Sequence, residues 1–312
     1  MQRIPIRFIQ FLAVTCAVLC APAAEANSAA RQRKIKCGQG TELRLSSPDS
    51  SQGSLLLVEV RSAKSLKEIK AEWAGREVFF WEPEAGAKSR FSVYRALLGV
   101  DLEQAAGKYD LALTADTQSG ERVSCNAAVA VRAGHFATES LQVEKQFVEP
   151  SPEQLQRAQE EQKKLREIFG HVTPERMWHG MFRVPLDGVT TGKNFGKRRI
   201  LNGQPGSPHG GVDLPATTGT PVHAAQSGRV VLAEELYFSG NTVLVDHGLG
   251  IYTFYGHLSE ISVKAGDEVG PGALLGKVGA TGRVTGPHLH WGLTVDKARV
   301  NPLQIVNLLG IE

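Results

Sequence analysis

The chain has 312 residues, a formal net charge of +3 and 42% hydrophobic residues, a composition ordinary for a globular protein with room for about two domains. Such a mild charge balance excludes nucleic acid as the main partner and is compatible with an anionic cell-wall polymer. Beyond the N-terminus no apolar run approaches the length of a transmembrane span.

Residues 1–26 have the three parts of a signal peptide: Arg3 and Arg7, an apolar run from Phe8 to Cys20, and the small-x-small site Ala24-Glu25-Ala26. The mature chain is therefore expected to begin near Asn27, with Ala23 as an alternative cut, and to be exported to the periplasm or the extracellular wall. Thr15 and Leu19 stand before Cys16 and Cys20, where lipid attachment would want a small residue. Cys37 and Cys125 remain after cleavage, and an oxidising compartment favours a disulfide between them over two buried thiols.

Residues 34–143 read as short strands punctuated by Gly75, Gly86, Gly107 and Gly120: Ser54–Val60, Glu77–Trp81, Tyr109–Leu113 and Val123–Val131. This spacing predicts an accessory β-sandwich of immunoglobulin-like type. Its single histidine, His135, has no partner motif, and no chemistry is expected there. Residues 149–180 form a helical linker. Ser151-Pro152-Glu153 starts a helix, Gly170 ends it, and between them Leu155, Leu165, Ile168 and Phe169 are the large apolar residues in a run of mostly polar helix formers. Its charge reads as a solvated face and the helix as a spacer. His171 and His179 fall outside any ligand spacing.

From residue 181 to 312 glycines recur between β-branched runs. Gly228–Ala233, Asn241–Asp246, Ile251–Tyr255 and Leu274–Val278 are predicted strands, with a turn at Gly266–Val269. The chain is thus predicted to be mainly β: sandwich, linker helix and a C-terminal antiparallel β domain. That last domain carries the chemistry. His209-Gly210-Gly211-Val212-Asp213 is crowded by Pro205, Pro208 and Pro215, so it cannot be helical and reads as a loop entering a strand. His288-Leu289-His290 alternates with Trp291, so a strand would point both imidazoles to one face. Imidazole and carboxylate donors with one position left open fit a catalytic zinc, whereas a structural zinc closes its tetrahedron with protein ligands. No cysteine lies near to close it.

The segment Phe195 to Pro302 resembles the lysostaphin-like (LytM-type) zinc metallopeptidases, which cut peptide bonds in peptidoglycan. The resemblance rests on His209-x-Gly211-x-Asp213, on Tyr255-Gly256-His257-Leu258 and on Thr281-Gly282-Arg283-Val284-Thr285-Gly286-Pro287-His288-Leu289-His290. It implies a compact antiparallel domain with a groove across the sheet. It further implies Zn²⁺ held by His209, Asp213 and His290, with His257 and His288 as the catalytic pair whose individual roles the sequence leaves open. The substrate implied is the peptide of peptidoglycan, in stem peptides or cross-links, and other cell-wall hydrolases or divisome-type proteins are the candidate protein partners. Some family members have lost ligands and activate other wall hydrolases, so a catalytically silent wall-binding protein is the alternative, although all five positions are filled here. No His-Glu-x-x-His helix is present, which excludes that class of metalloprotease. Trp291 and Gly292 depart from the commonest pattern, and no tyrosine precedes His209 as a transition-state donor. Asn202 lies near that place without an assignable role. His223, His247 and Asp246 are expected to be structural.

Overall fold

The computed structural model describes residues 32–47, 49–83, 90–189 and 191–309. The signal peptide expected over residues 1–26 lies outside them. Two five-stranded sheets make up the first unit, one ordered Arg33–Gly38, Thr41–Leu45, Leu55–Ser62, Ser92–Gly99 and Phe80–Trp81, the other Asp49–Ser51, Arg122–Arg132, Gly107–Thr117, Leu66–Trp73 and Arg76–Val78. Alternation along Thr41–Leu45 buries Thr41, Leu43 and Leu45 and turns Glu42 and Arg44 outward, as the two-residue period of a half-buried strand requires. Leu43, Val58, Val60, Trp73, Leu98, Leu111, Leu113 and Val129 fill the space between the sheets.

One predicted strand divides. Glu77–Trp81 becomes Arg76–Val78, paired with Leu66–Trp73, and Phe80–Trp81, paired with Ser92–Gly99 in the opposite sheet. Val78 and Trp81 are both buried, each in a different sheet, because the chain crosses between sheets at Phe79. Cys37 and Cys125 form a disulfide between the two sheets, with Cα atoms 5.0 Å apart across a sequence separation of 88.

The linker helix spans Pro152–Gly170 and opens with a capping box, in which Ser151 accepts from the Gln154 N–H and Gln154 reaches back to the Ser151 N–H. It is not the free spacer its polarity suggests. Leu165, Ile168 and Phe169 pack on Leu232, Leu236, Leu244 and Tyr252 of the C-terminal sheet, and Glu161 accepts the Tyr237 N–H at 2.8 Å. Lys164 bonds Glu234 at 2.6 Å. A narrow apolar stripe at one end of the helix was enough to dock it, because the sheet offers a matching apolar back.

The C-terminal sheet runs in the order Gly211–Pro215, His288–Val295, Ile251–Ile261, Gly240–Gly248, Gly228–Leu236 and Glu268–Val269, every pair antiparallel. Leu274–Val278 joins the far end of Ile251–Ile261. Glu268–Val269, expected as part of a turn, pairs with Gly228 and Arg229 as a short edge strand. The core includes Val212, Leu214, Val243, Val245, Ile251, Tyr255, Leu289, Trp291 and Leu293. It also takes in Leu55, Trp81 and Leu97 of the sandwich, and Trp81 meets Trp178 edge-on with ring centroids 5.4 Å apart. Asp101 accepts two bonds from the Arg299 guanidinium, at 2.8 and 3.1 Å. Sandwich and C-terminal sheet therefore share a buried apolar interface.

Candidate active site

Asp213 and His290 face each other across the pair Gly211–Pro215 and His288–Val295, and Gly256 stands opposite His290 on the other side. Along His288–Val295 the even positions His288 and His290 are half-buried while Leu289 and Trp291 are fully buried, so both imidazoles lie on the same, less buried face as the alternation predicts. His209 precedes its strand. Its backbone is nonetheless fixed, donating to the Lys197 carbonyl at 3.0 Å and accepting from the Gly196 N–H at 2.8 Å. Gly211 of the motif has a steric reason: a Cβ there would lie 2.5 Å from the Trp291 carbonyl oxygen and 2.8 Å from His290 Nε2.

Three donors converge. His209 Nε2 is 2.8 Å from His290 Nδ1 and 3.0 Å from Asp213 Oδ1, and His290 Nδ1 is 3.2 Å from the same oxygen. Ligand atoms around a tetrahedral zinc, at about 2.0–2.1 Å from the metal, stand roughly 3.3 Å from one another, so this set needs only a slight expansion to accept one. Backbone carbonyls choose the tautomers. His209 Nδ1 donates to Asn194 at 2.9 Å, leaving the Nε2 lone pair for the cluster. His257 Nδ1 donates to Thr281 and His288 Nδ1 to Gly286, each at 2.8 Å, so their Nε2 atoms are also free of backbone partners. His288 Nε2 is 3.4 Å from Asp213 Oδ1, and the His257 ring is 4.9 Å from that of His288 and 5.8 Å from that of His290.

His257 reaches this place by an irregularity. Pairing between Gly240–Gly248 and Ile251–Ile261 slips between Asn241 and Val243, and His257 takes a left-handed φ of 65°, uncommon for a residue with a side chain. A bulge of this kind re-aims a side chain that regular pleating would direct elsewhere.

Electrostatics follow from burial and contact. Burial alone would raise the Asp213 carboxyl, but its close contacts with the His209 and His290 rings outweigh it and hold the group far below the usual carboxylate range. Burial, then the neighbouring His290 and His288, depresses His257 to about 3. His290 falls to about 4, again chiefly by burial. The site thus holds an ionised carboxylate at Asp213 and neutral imidazoles at His257 and His290, and a carboxylate and a neutral imidazole are the forms that bind a metal cation. Among the described residues His209, Asp213 and His290 form the one grouping of three or more histidine, cysteine or carboxylate side chains close enough for an ion.

Sequence reasoning missed two supporting residues. Asn194, itself at φ 74°, holds His209 through its carbonyl and Asp213 Oδ2 through its side-chain amide at 3.3 Å. Arg199 places Nη2 3.5 Å from the same Oδ2. Asn202 is turned away: its amide pairs both ways with the backbone of Val143, at 3.0 and 2.9 Å. His247 is buried between the Ser227 carbonyl and the Thr253 hydroxyl, each at 2.7 Å, and His223 bonds the Gly272 carbonyl; both are structural.

Residues 207–302 match the model of peptidase family M23. Peptidoglycan DD-endopeptidase ShyA of Vibrio cholerae is 40% identical over 124 residues, covering 39% of this chain and 29% of its own length. DD-carboxypeptidase/endopeptidase Mpg of Neisseria meningitidis is 40% identical over 97 residues, 31% of this chain and 22% of that protein. The match therefore spans less than a third of either relative. A solved Pseudomonas aeruginosa chain assigned to peptidase M23 extends further, with 28% identity, a TM-score of 0.61 and coverage of 82% of this chain and 95% of that one.

Proposed function

We propose that this chain, which belongs to peptidase family M23 through its C-terminal domain, is an exported zinc endopeptidase that hydrolyses peptide bonds in the stem peptides or cross-links of peptidoglycan. One observation carries the reading. Asp213 Oδ1 lies within 3.0 to 3.4 Å of ring nitrogens from His209, His290 and His288, a concentration of donors far more costly than useful unless a cation joins it.

His209, Asp213 and His290 would hold the metal. A zinc held there would supply Lewis-acid chemistry, polarising the carbonyl under attack and lowering the pKa of a water from about 15.7 towards about 7. The remaining work falls to side chains of this chain. His257, kept neutral by burial with Nδ1 committed to Thr281, offers Nε2 as acceptor for the proton of the attacking water. His288, anchored in the same way on Gly286 and less buried, is placed to donate a proton to the departing amine. Asn194 and Arg199 hold Asp213 in position from its Oδ2 side.

Digestion of purified peptidoglycan by the full-length mature protein, with and without a chelator and with mass spectrometry of the fragments, tests the reading. Zinc-dependent release of peptides with new amino termini is expected. Intact sacculi after prolonged incubation with zinc-loaded protein would leave a silent wall-binding role instead.

A further inference from the structure

Two arginines beside the site take no part in holding metal or moving protons. Arg199, on the strand Arg198–Leu201, contacts Asp213 but has a buried Nε without a partner. Arg283, on the loop that leads to His288, stacks over the Phe238 ring at 4.5 Å and donates its backbone N–H to the Phe238 carbonyl at 2.8 Å. Among the described residues no carboxylate pairs with Arg283. Arg283 stands two residues beyond Thr281, whose carbonyl accepts from His257 Nδ1 at 2.8 Å, which places its segment at the site; burial, then the charge of Arg199, depresses its guanidinium.

Partly desolvated guanidinium groups without a full counter-charge are expensive. Arg199 has only a share of Asp213, whose oxygens are also engaged by His209, His290 and Asn194, and Arg283 has no carboxylate partner among the described residues. The Arg fork is also the group best shaped to take a carboxylate in two parallel bonds.

We infer that Arg199 and Arg283 receive a carboxylate of the bound peptide, placed beside the bond to be cut. The inference rests on the peptidase reading above. A carboxylate adjoins a scissile amide in two chemical settings: the leaving residue is a free C-terminal amino acid, or it is the acylated stereocentre of a diamino acid in a cross-link. Both present the same α-carboxylate next to the leaving nitrogen.

The test is direct binding, followed by fluorescence anisotropy with zinc-loaded full-length His288→Ala, so that turnover does not interfere. The probes are two labelled peptides, one with a free C-terminus and one cross-linked, each compared with its carboxamide. In at least one pair the carboxylate form should bind tenfold or more tighter, and that pair identifies the setting. Adding Arg283→Gln should reduce the difference below twofold while leaving the carboxamide affinity and zinc content unchanged; Arg283→Lys should keep part of it. Equal or undetectable binding of acid and amide in both pairs overturns the inference without any further variant. So does an undiminished preference in Arg283→Gln. Cleavage by the wild-type protein is scored separately, so failure of the hydrolase reading and failure of the carboxylate receptor give different results.

Discussion

Asp213 and His290 occupy opposed positions of one antiparallel strand pair, and Oδ1 of the first stands 3.2 Å from Nδ1 of the second. The backbone register thus brings together two of the three residues proposed as ligands, and His209 closes the set from the loop. Removing one donor leaves too few to retain zinc. His209→Ala and Asp213→Ala are expected to lose metal and wall hydrolysis together, whereas His257→Ala and His288→Ala should keep zinc and lose about 10²–10⁴ in kcat. Metal analysis of the purified variants checks both halves, and full zinc occupancy in Asp213→Ala would refute the ligand set.

Acid stability should report on His247. Burial depresses it from the ordinary 6.5 to about 4, so the native state prefers the neutral ring. Its contribution is fully present above pH 6.5 and is lost as pH falls towards 4, on the order of 3 kcal/mol in all. Urea midpoints of the metal-free wild type and of His247→Gln should differ most at pH 7 and converge towards pH 4. A difference that stays constant over that range contradicts the prediction.

Reduction of the Cys37–Cys125 bridge, which closes a loop of sequence separation 88, should destabilise the sandwich by about 4–5 kcal/mol in the chain-entropy model. Zinc content should be unchanged, because the bridge is remote in sequence and fold from the ligands. Calorimetry with and without reductant, paired with metal analysis, separates the two effects.

Phe169 meets Tyr252 edge-on at 5.6 Å, and the Tyr252 hydroxyl donates to the His171 carbonyl at 2.7 Å. Phe169→Ala should cost the C-terminal domain about 2 kcal/mol, less than a fully buried aromatic would. A chain shortened to begin at Arg176 should keep zinc and per-molecule activity but unfold at lower temperature than one beginning at Ser151. Equal melting of the two would show that the helix contributes nothing.

The motifs were legible because each is local. His209-x-Gly211-x-Asp213 and His288-x-His290 owe their geometry to a turn and to the two-residue strand period, both readable from a few neighbours. Asn194, Arg199 and Arg283 were not, since an asparagine in a turn and arginines near a strand are unremarkable until distant segments fold against them. The same reason hid the docking of the linker helix and the contact of Trp81 with Trp178. Burial patterns say that a surface is covered, not by what.

The left-handed backbone at His257 sets fold and chemistry against each other at one position. Glycine adopts that conformation without penalty and asparagine with little, while histidine occupies it at a cost of about 1 kcal/mol. A library randomised at position 257 and sorted for solubility should therefore enrich glycine and asparagine and discard histidine; sorted for wall lysis, it should return histidine alone. The conformation of one residue becomes a record of what the protein was last selected to do.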